Sequence, residues 1–362
     1  MSLLSFIPGP SRLYPTVRAH LDEAFDLGIP SLSHRSAAYQ EIYRQTAGAL
    51  AELLGAPASF RVFFVGSASE AMERVVQNTV DRASFHLVGG AFAARFHDTA
   101  AALGKRARRL AVAPGSGCDV NRVVVPDDAE LLCITQNETS TGVQMPMNDV
   151  GRLRAATRQE VLIVLDVVSS VPFVDIDFTS VDGVLFSVQK GLGLPAGLGV
   201  LVVGEAMLRK AGVVEARGHY TGGFHSFAAL HARQQRWQNP ETPNVLAIWL
   251  LGRVCRDMLA RGVVEMRDAT EARARALYEF FSTTRGFAPF VHDERIRSRT
   301  VVTVDCERPS SELIGALAEE GIAVAPGYGE RRSTQIRVAN FPAHTQDDVA
   351  QLTGALSRHS GG

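Results

Sequence analysis

Apolar residues in this chain gather in short runs that are hydrophobic at nearly every position, and stretches with helical spacing separate them. RVFFVG (61–66), SFHLVGG (84–90), ELLCITQN (130–137), VLIVLDVVSS (161–170), GVLFSVQK (183–190) and LGVLVVG (198–204) are such runs. Strands that are apolar on both faces and spaced by helices predict an α/β fold with a mostly parallel sheet covered on each side. From Pro243 onward the pattern turns helical, through VLAIWLLGRVCRDMLARG and then VVEMRDATEARARALYEFFSTTRG. The charges of the second segment recur at helical spacing and suit a connector between domains. Two more strand candidates, TVVTVD (300–305) and TQIRVAN (334–340), lie around the helical SSELIGALAEEG. That is the makeup of a smaller α+β domain. The expected organisation is an N-terminal arm over 1–14, a large domain over 15–260 and a small C-terminal domain over 261–362.

Composition narrows the partners. Lys plus Arg number 37 against 38 Asp plus Glu, which gives no charge excess to attract nucleic acid or a membrane surface. Small molecules are the expected partners. Cys118, Cys133, Cys255 and Cys306 are scattered without a CxxC, so neither a metal site nor a disulfide framework is expected, and reduced cytoplasmic thiols fit. MSLLSFIPGPSRLYP lacks the basic start and long apolar run of a signal peptide, and no apolar run reaches membrane-spanning length.

In parallel α/β sheets ligands sit at the carboxyl ends of strands, which directs attention to the polar residues just after each apolar run. In DGVLFSVQKGLGLPAGLGVLVVG a single amine, Lys190, follows a buried run and precedes a loop rich in glycine. Its bland reading is a solvated surface charge. Its functional reading is an amine held partly out of water, neutral often enough to attack a carbonyl. The rival reading of the glycines, a dinucleotide loop, is weakened because Pro195 interrupts the pattern and a strand rather than a helix follows. Asp166 ends VLIVLD, where an unpaired carboxylate is costly; it either caps the following turn or faces a cationic ring nitrogen. The two residues lie one strand-helix-strand step apart, close enough to share a cleft. GSASEAMERVVQN opens with Ser67, Ala68, Ser69 and Glu70, a capping box whose free N–H groups also suit an anion.

Taken together, Lys190, Asp166 and the small-residue helix start resemble the fold-type I pyridoxal-phosphate enzymes, and among them the class V aminotransferases. Within that class QNETSTG, SHRS (33–36) and SVQKGLGLPAG most resemble the phosphoserine aminotransferases, from PGPS to IRVANF. The resemblance implies pyridoxal 5'-phosphate as cofactor, with Lys190 carrying it covalently and moving the proton at the substrate Cα. Asp166 would keep the ring nitrogen protonated, Thr139 would bond the phenolic oxygen and Phe92 would stack on the ring. Ala68, Ser69 and Gln189 would hold the phosphate, joined by Thr242 of a neighbouring subunit, so a homodimer with shared sites is implied. Arg337 is the candidate for the substrate α-carboxylate, while His34 and Arg35 from the other subunit and Arg331 would meet a substrate phosphate.

Departures from the pattern bear on the substrate. Ser69 stands where the family carries an arginine, and Glu330-Arg331 stands where it carries His-Arg. GSASEAME and TSTG look closer to the alanine–glyoxylate branch. The leading expectation is transfer from phosphoserine to 2-oxoglutarate, as in serine biosynthesis; the alternative keeps the site and takes alanine or serine with glyoxylate or pyruvate. Cysteine desulfuration lacks a cysteine in a convincing flexible loop. A binding protein of the same fold without turnover, or a nucleotide-binding module, is the reading from another class.

Overall fold

The computed structural model describes residues 3–359. Its centre is a seven-stranded sheet in the order Arg61–Val65, Gly199–Val203, Gly183–Ser187, Leu162–Asp166, Leu131–Thr135, Ala83–Val88 and Arg106–Ala111. All neighbours are parallel except Gly199–Val203, which runs antiparallel to both strands beside it. Alternate residues of each strand enter different cores. Val62 and Phe64 pack with the helices Ala37–Leu54 and Val245–Arg261, whereas Phe63 and Val65 pack with Ala68–Thr79 and Glu205–Ala216. Burial on both faces is the physical reason the strands read as unbroken apolar runs, each fully buried side chain contributing about 1.5–3 kcal/mol.

The carboxyl ends of the parallel strands open on one edge. The strand Gly183–Ser187 runs there beside Leu162–Asp166, with Asp166 opposite Leu185. At that edge the helix Ala68–Thr79 begins, with Ser67 Oγ accepting from Glu70 N–H at 3.1 Å. The Glu70 carboxylate does not return to Ser67 as a capping box predicts. It accepts from Gly66 N–H at 2.8 Å, one residue earlier.

A four-stranded antiparallel sheet follows, in the order Phe287–Pro289, Val301–Cys306, Gln335–Ala339, Ala325–Pro326. Its own apolar cluster joins Val302, Ile336, Leu313 and Leu352 to Leu277 and Phe281 of the helix Val263–Thr283. The preceding helix ends at Arg261, and Gly262, with φ 95, turns the chain into the next one. Leu4–Ser5 pairs with Ile322–Ala323, which brings the first described residues into this second layer. Among the described residues no helix is long and apolar enough to cross a membrane.

Candidate active site

Two strand ends bring the two sequence-predicted ionisable groups to one cavity. Asp166 is the last residue of its strand, and Lys190 lies three residues beyond Ser187 in the turn that follows the neighbouring strand. They line a cavity of about 130 Å³ together with Ser67, Ala68, Ser69, Phe92, Thr139, Ser187 and Gln189. The glycines after Lys190 are explained by close approaches. Gly193, at φ 61, packs against the backbone of Tyr14, and a Cβ on Gly199 would run into the backbone of Ser67.

The Lys190 side chain is buried and donates to Thr139 Oγ1 at 3.2 Å, with its Nζ 5.1 Å from the centre of the Phe92 ring. Burial pulls its pKa down to about 8, helped by the Arg337 and Arg95 charges and opposed by Asp166 and Glu138. Asp166, also buried, moves the other way. Loss of water raises its pKa to about 6 and the Glu138 charge adds to this, while the Val168 N–H at 3.0 Å, Lys190 and Thr135 oppose it. Lys190 and Asp166 form no ion pair with each other, so each faces the cavity only partly satisfied.

The small-residue helix start is more committed than the sequence suggests. Ala68 N–H donates to Ser187 Oγ at 2.7 Å, while Gln189 Oε1 is buried without a hydrogen-bond partner. Arg337, on the strand Gln335–Ala339, donates through Nε to Pro326 O at 2.9 Å and through Nη1 to Thr139 O at 3.2 Å. It thereby ties the second sheet to the cavity, and burial lowers its pKa. Arg331 lines a wider opening of about 450 Å³ with Ser140, Thr141, Tyr328, Glu330 and Thr334, its guanidinium stacked 4.4 Å from the Phe290 ring.

His34, Arg35 and Thr242 are brought to one another rather than to this cavity. Arg35 donates to Gln238 Oε1 at 3.1 Å, Asn239 O at 2.8 Å and Pro240 O at 2.9 Å, which fixes the loop that presents the exposed Thr242. Burial and the Arg35 charge lower the pKa of His34, against the opposing pull of Glu241.

Several site residues escaped the sequence reading. The Glu138 carboxylate is buried at the start of the helix Ala91–Ala102, accepting from Phe92 N–H at 3.2 Å, Ala93 N–H at 3.0 Å and Ser140 Oγ at 2.5 Å. A carboxylate on a helix N-terminus is well placed electrostatically, and here it fixes the helix that carries Phe92. Gly90 leaves the room it needs, since a Cβ there would collide with Glu138. Glu138 stands inside QNETSTG, one residue before Thr139. Ser187, Arg95 and Tyr328 carried no local signal; Tyr328 lies 5.6 Å from Phe92 ring to ring and 5.4 Å from the Arg337 guanidinium.

The sequence pattern of the family described as Aminotransferase class-V matches residues 6–352. A putative phosphoserine aminotransferase of Mycolicibacterium vanbaalenii is 26% identical over 352 residues, 96% of this chain and 93% of that protein. The solved phosphoserine aminotransferase of Cytophaga hutchinsonii superposes with a TM-score of 0.97 at 39% identity, covering 99% of each chain. The alanine–glyoxylate aminotransferase of a Nostoc species superposes at 0.82 with 22% identity, over 99% of this chain and 95% of that one, a likeness of fold alone.

Proposed function

The chain belongs to the class V aminotransferases and is a transaminase of the fold-type I architecture, and from that premise we propose that it moves an amino group from phosphoserine to 2-oxoglutarate on pyridoxal phosphate. The observation that carries this reading is the convergence of Lys190 and Asp166 on one cavity within a chain 39% identical to a phosphoserine aminotransferase over its length.

The donor set suits the cofactor. A buried carboxylate already raised to about 6 gains most from a cationic N–H partner, and Asp166 would meet one in the ring nitrogen. Phe92 would cover the ring face, Thr139 would bond its phenolic oxygen, and Ser69 and Gln189 would hold the phosphate, with Thr242 from a second copy; Ala68, whose N–H is bonded to Ser187 Oγ, would line the site without donating. When bound, the cofactor supplies an electron sink for the pair left at the substrate Cα. Lys190 does the proton work. With a pKa near 8 its amine is neutral in a useful fraction of molecules at neutral pH, so it would take the proton from Cα of the amino donor and, in the opposite half-reaction, deliver one to Cα of the 2-oxo acid. Arg337 would hold the substrate carboxylate, since Nη2 has no protein acceptor among the described residues. The reading includes a cytoplasmic homodimer in which His34 and Arg35 face the partner's site.

A second reading, with a small unphosphorylated donor, is favoured by Glu330. Its carboxylate lines the opening beside Arg331 and has no ion-pair partner among the described residues, which opposes a dianion. A panel of phosphoserine, serine and alanine against 2-oxoglutarate, glyoxylate and pyruvate separates the two. The leading reading expects kcat/KM for phosphoserine at least about tenfold above the others, and Arg35→Ala to erase that preference by lowering kcat/KM for phosphoserine more than for serine or alanine, beyond any loss common to all donors from the loosened 238–242 loop. A preference for alanine or serine that Arg35→Ala leaves intact overturns it.

A further inference from the structure

We propose that Arg95 supplies the positive charge at the phosphate end of the cavity, an inference that rests on the cavity being a pyridoxal phosphate site. The helix start alone is poorly equipped for a dianion. Ala68 N–H is engaged by Ser187 Oγ, Glu70 N–H by Ser67 Oγ and Ala71 N–H by Ser67 O. Of the first-turn amides this leaves Ser69 N–H, joined by the Ser69 hydroxyl and the Gln189 side chain. The Glu70 carboxylate at the same terminus is already engaged by Gly66 N–H at 2.8 Å, by His225 Nδ1 at 2.8 Å and by Arg74 Nε at 3.6 Å, so it neither frees an amide nor adds a donor for an anion. A helix N-terminus is equivalent to roughly half a positive charge, well short of what a dianion calls for.

The cavity wall holds two cationic side chains, Lys190 and Arg95. Lys190 serves the carbonyl chemistry, which leaves Arg95 for the anion. Arg95 lies three residues after Phe92 on the helix Ala91–Ala102, so both occupy one helical face. Its guanidinium sits 5.2 Å from the Phe92 ring centre and has no hydrogen-bond or ion-pair acceptor among the described residues. Met72, one turn into the helix that starts at Ala68, lines the same wall. Arg95 thus lines one cavity with the ring-stacking residue and the start of the phosphate-binding helix; it is an exposed side chain with a free planar donor set that matches phosphate oxygens.

The test compares pyridoxal phosphate with pyridoxal, which lacks the phosphate. Cofactor-free wild type and Arg95→Gln are titrated with each compound by absorbance, after circular dichroism shows that both are folded. The expected result is a Kd for pyridoxal phosphate raised about 10- to 100-fold in the variant, with the Kd for pyridoxal changed less than about twofold. Arg95→Lys should recover part of the loss, and millimolar inorganic phosphate should raise the Tm of wild type but not of Arg95→Gln. Equal losses for both compounds would mean that Arg95 acts through Phe92 packing and would overturn the proposal. So would unchanged affinities, or a rise confined to the KM of amino donors. Wild type that takes up neither compound would instead overturn the cofactor reading itself.

Discussion

Two buried cations in this chain are treated in opposite ways. Arg273, on the helix Val263–Thr283, is 3% exposed and donates to Asn340 Oδ1 at 2.8 Å, Thr270 Oγ1 at 3.0 Å and Phe341 O at 3.3 Å. Burial lowers its pKa to about 10, which leaves it charged at neutral pH. Lys190 is 8% exposed and has one hydroxyl at 3.2 Å. Arg273 is surrounded by acceptors, whereas Lys190, the amine that the proposed function assigns to chemistry, is left short of them, so that it titrates within reach of neutral pH. The same shortage appears in Asp166, whose carboxylate sits across the cavity without an ion pair. The two sites are therefore expected to fail differently when altered.

The widest separation should come from Lys190→Ala. Turnover should fall by at least about a thousandfold in steady-state assays, while the Tm of the cofactor-free protein holds or rises, because a poorly solvated amine is removed. Retention of a tenth of wild-type turnover would sink the catalytic assignment. Arg273→Met should do the reverse, costing about 2–4 kcal/mol in denaturant titration through orphaned acceptors, with kcat within about twofold of wild type. A large kcat loss at unchanged stability there would erase the contrast.

Smaller effects should appear in pH dependence. Lys190 titrates near 8 in the folded chain against 10.5 ordinarily, so the unfolded chain binds more protons between those values and stability rises with pH across that window. For Asp166 the folded value is about 6 against 3.8, so the folded chain binds more protons in between and stability falls as pH rises from 3.8 to 6. Asp166→Asn should flatten the lower window in cofactor-free protein and reduce kcat about a hundredfold. A lower window unchanged in that variant would place the titration elsewhere.

How much of this the sequence discloses follows the same division. Six central strands are legible because burial on both faces leaves unbroken apolar runs. The seventh, Arg106–Ala111, has no such run. It is an edge strand with one neighbour, and its Arg106 and Arg108 bond Asp128 at 2.7 and 2.9 Å. The antiparallel course of Gly199–Val203 was equally hidden, since a strand apolar on both faces reads alike in either direction. At the site, Lys190 and Asp166 stand out as charges ending apolar runs. Glu138 and Ser187 do not, because their meaning comes from partners far along the chain: Glu138 reaches Ala93 across 45 residues, and Ser187 reaches Ala68 across 119.

The segment that begins with Leu4–Ser5 has a consequence for how the protein is made. Phe6 bonds Ala323 and Ala339 through its backbone, and a few residues on Ser11 holds Gln189 O at 2.9 Å and Lys190 O at 2.8 Å, while Tyr14 holds Gly193 O. One short ribbon therefore laces the second sheet to the loop that carries Lys190. During synthesis on the ribosome Ser11 and Tyr14 can be anchored once residue 193 has emerged, whereas Phe6 must wait for residue 339, so the tie between the two sheets is completed among the last events of assembly.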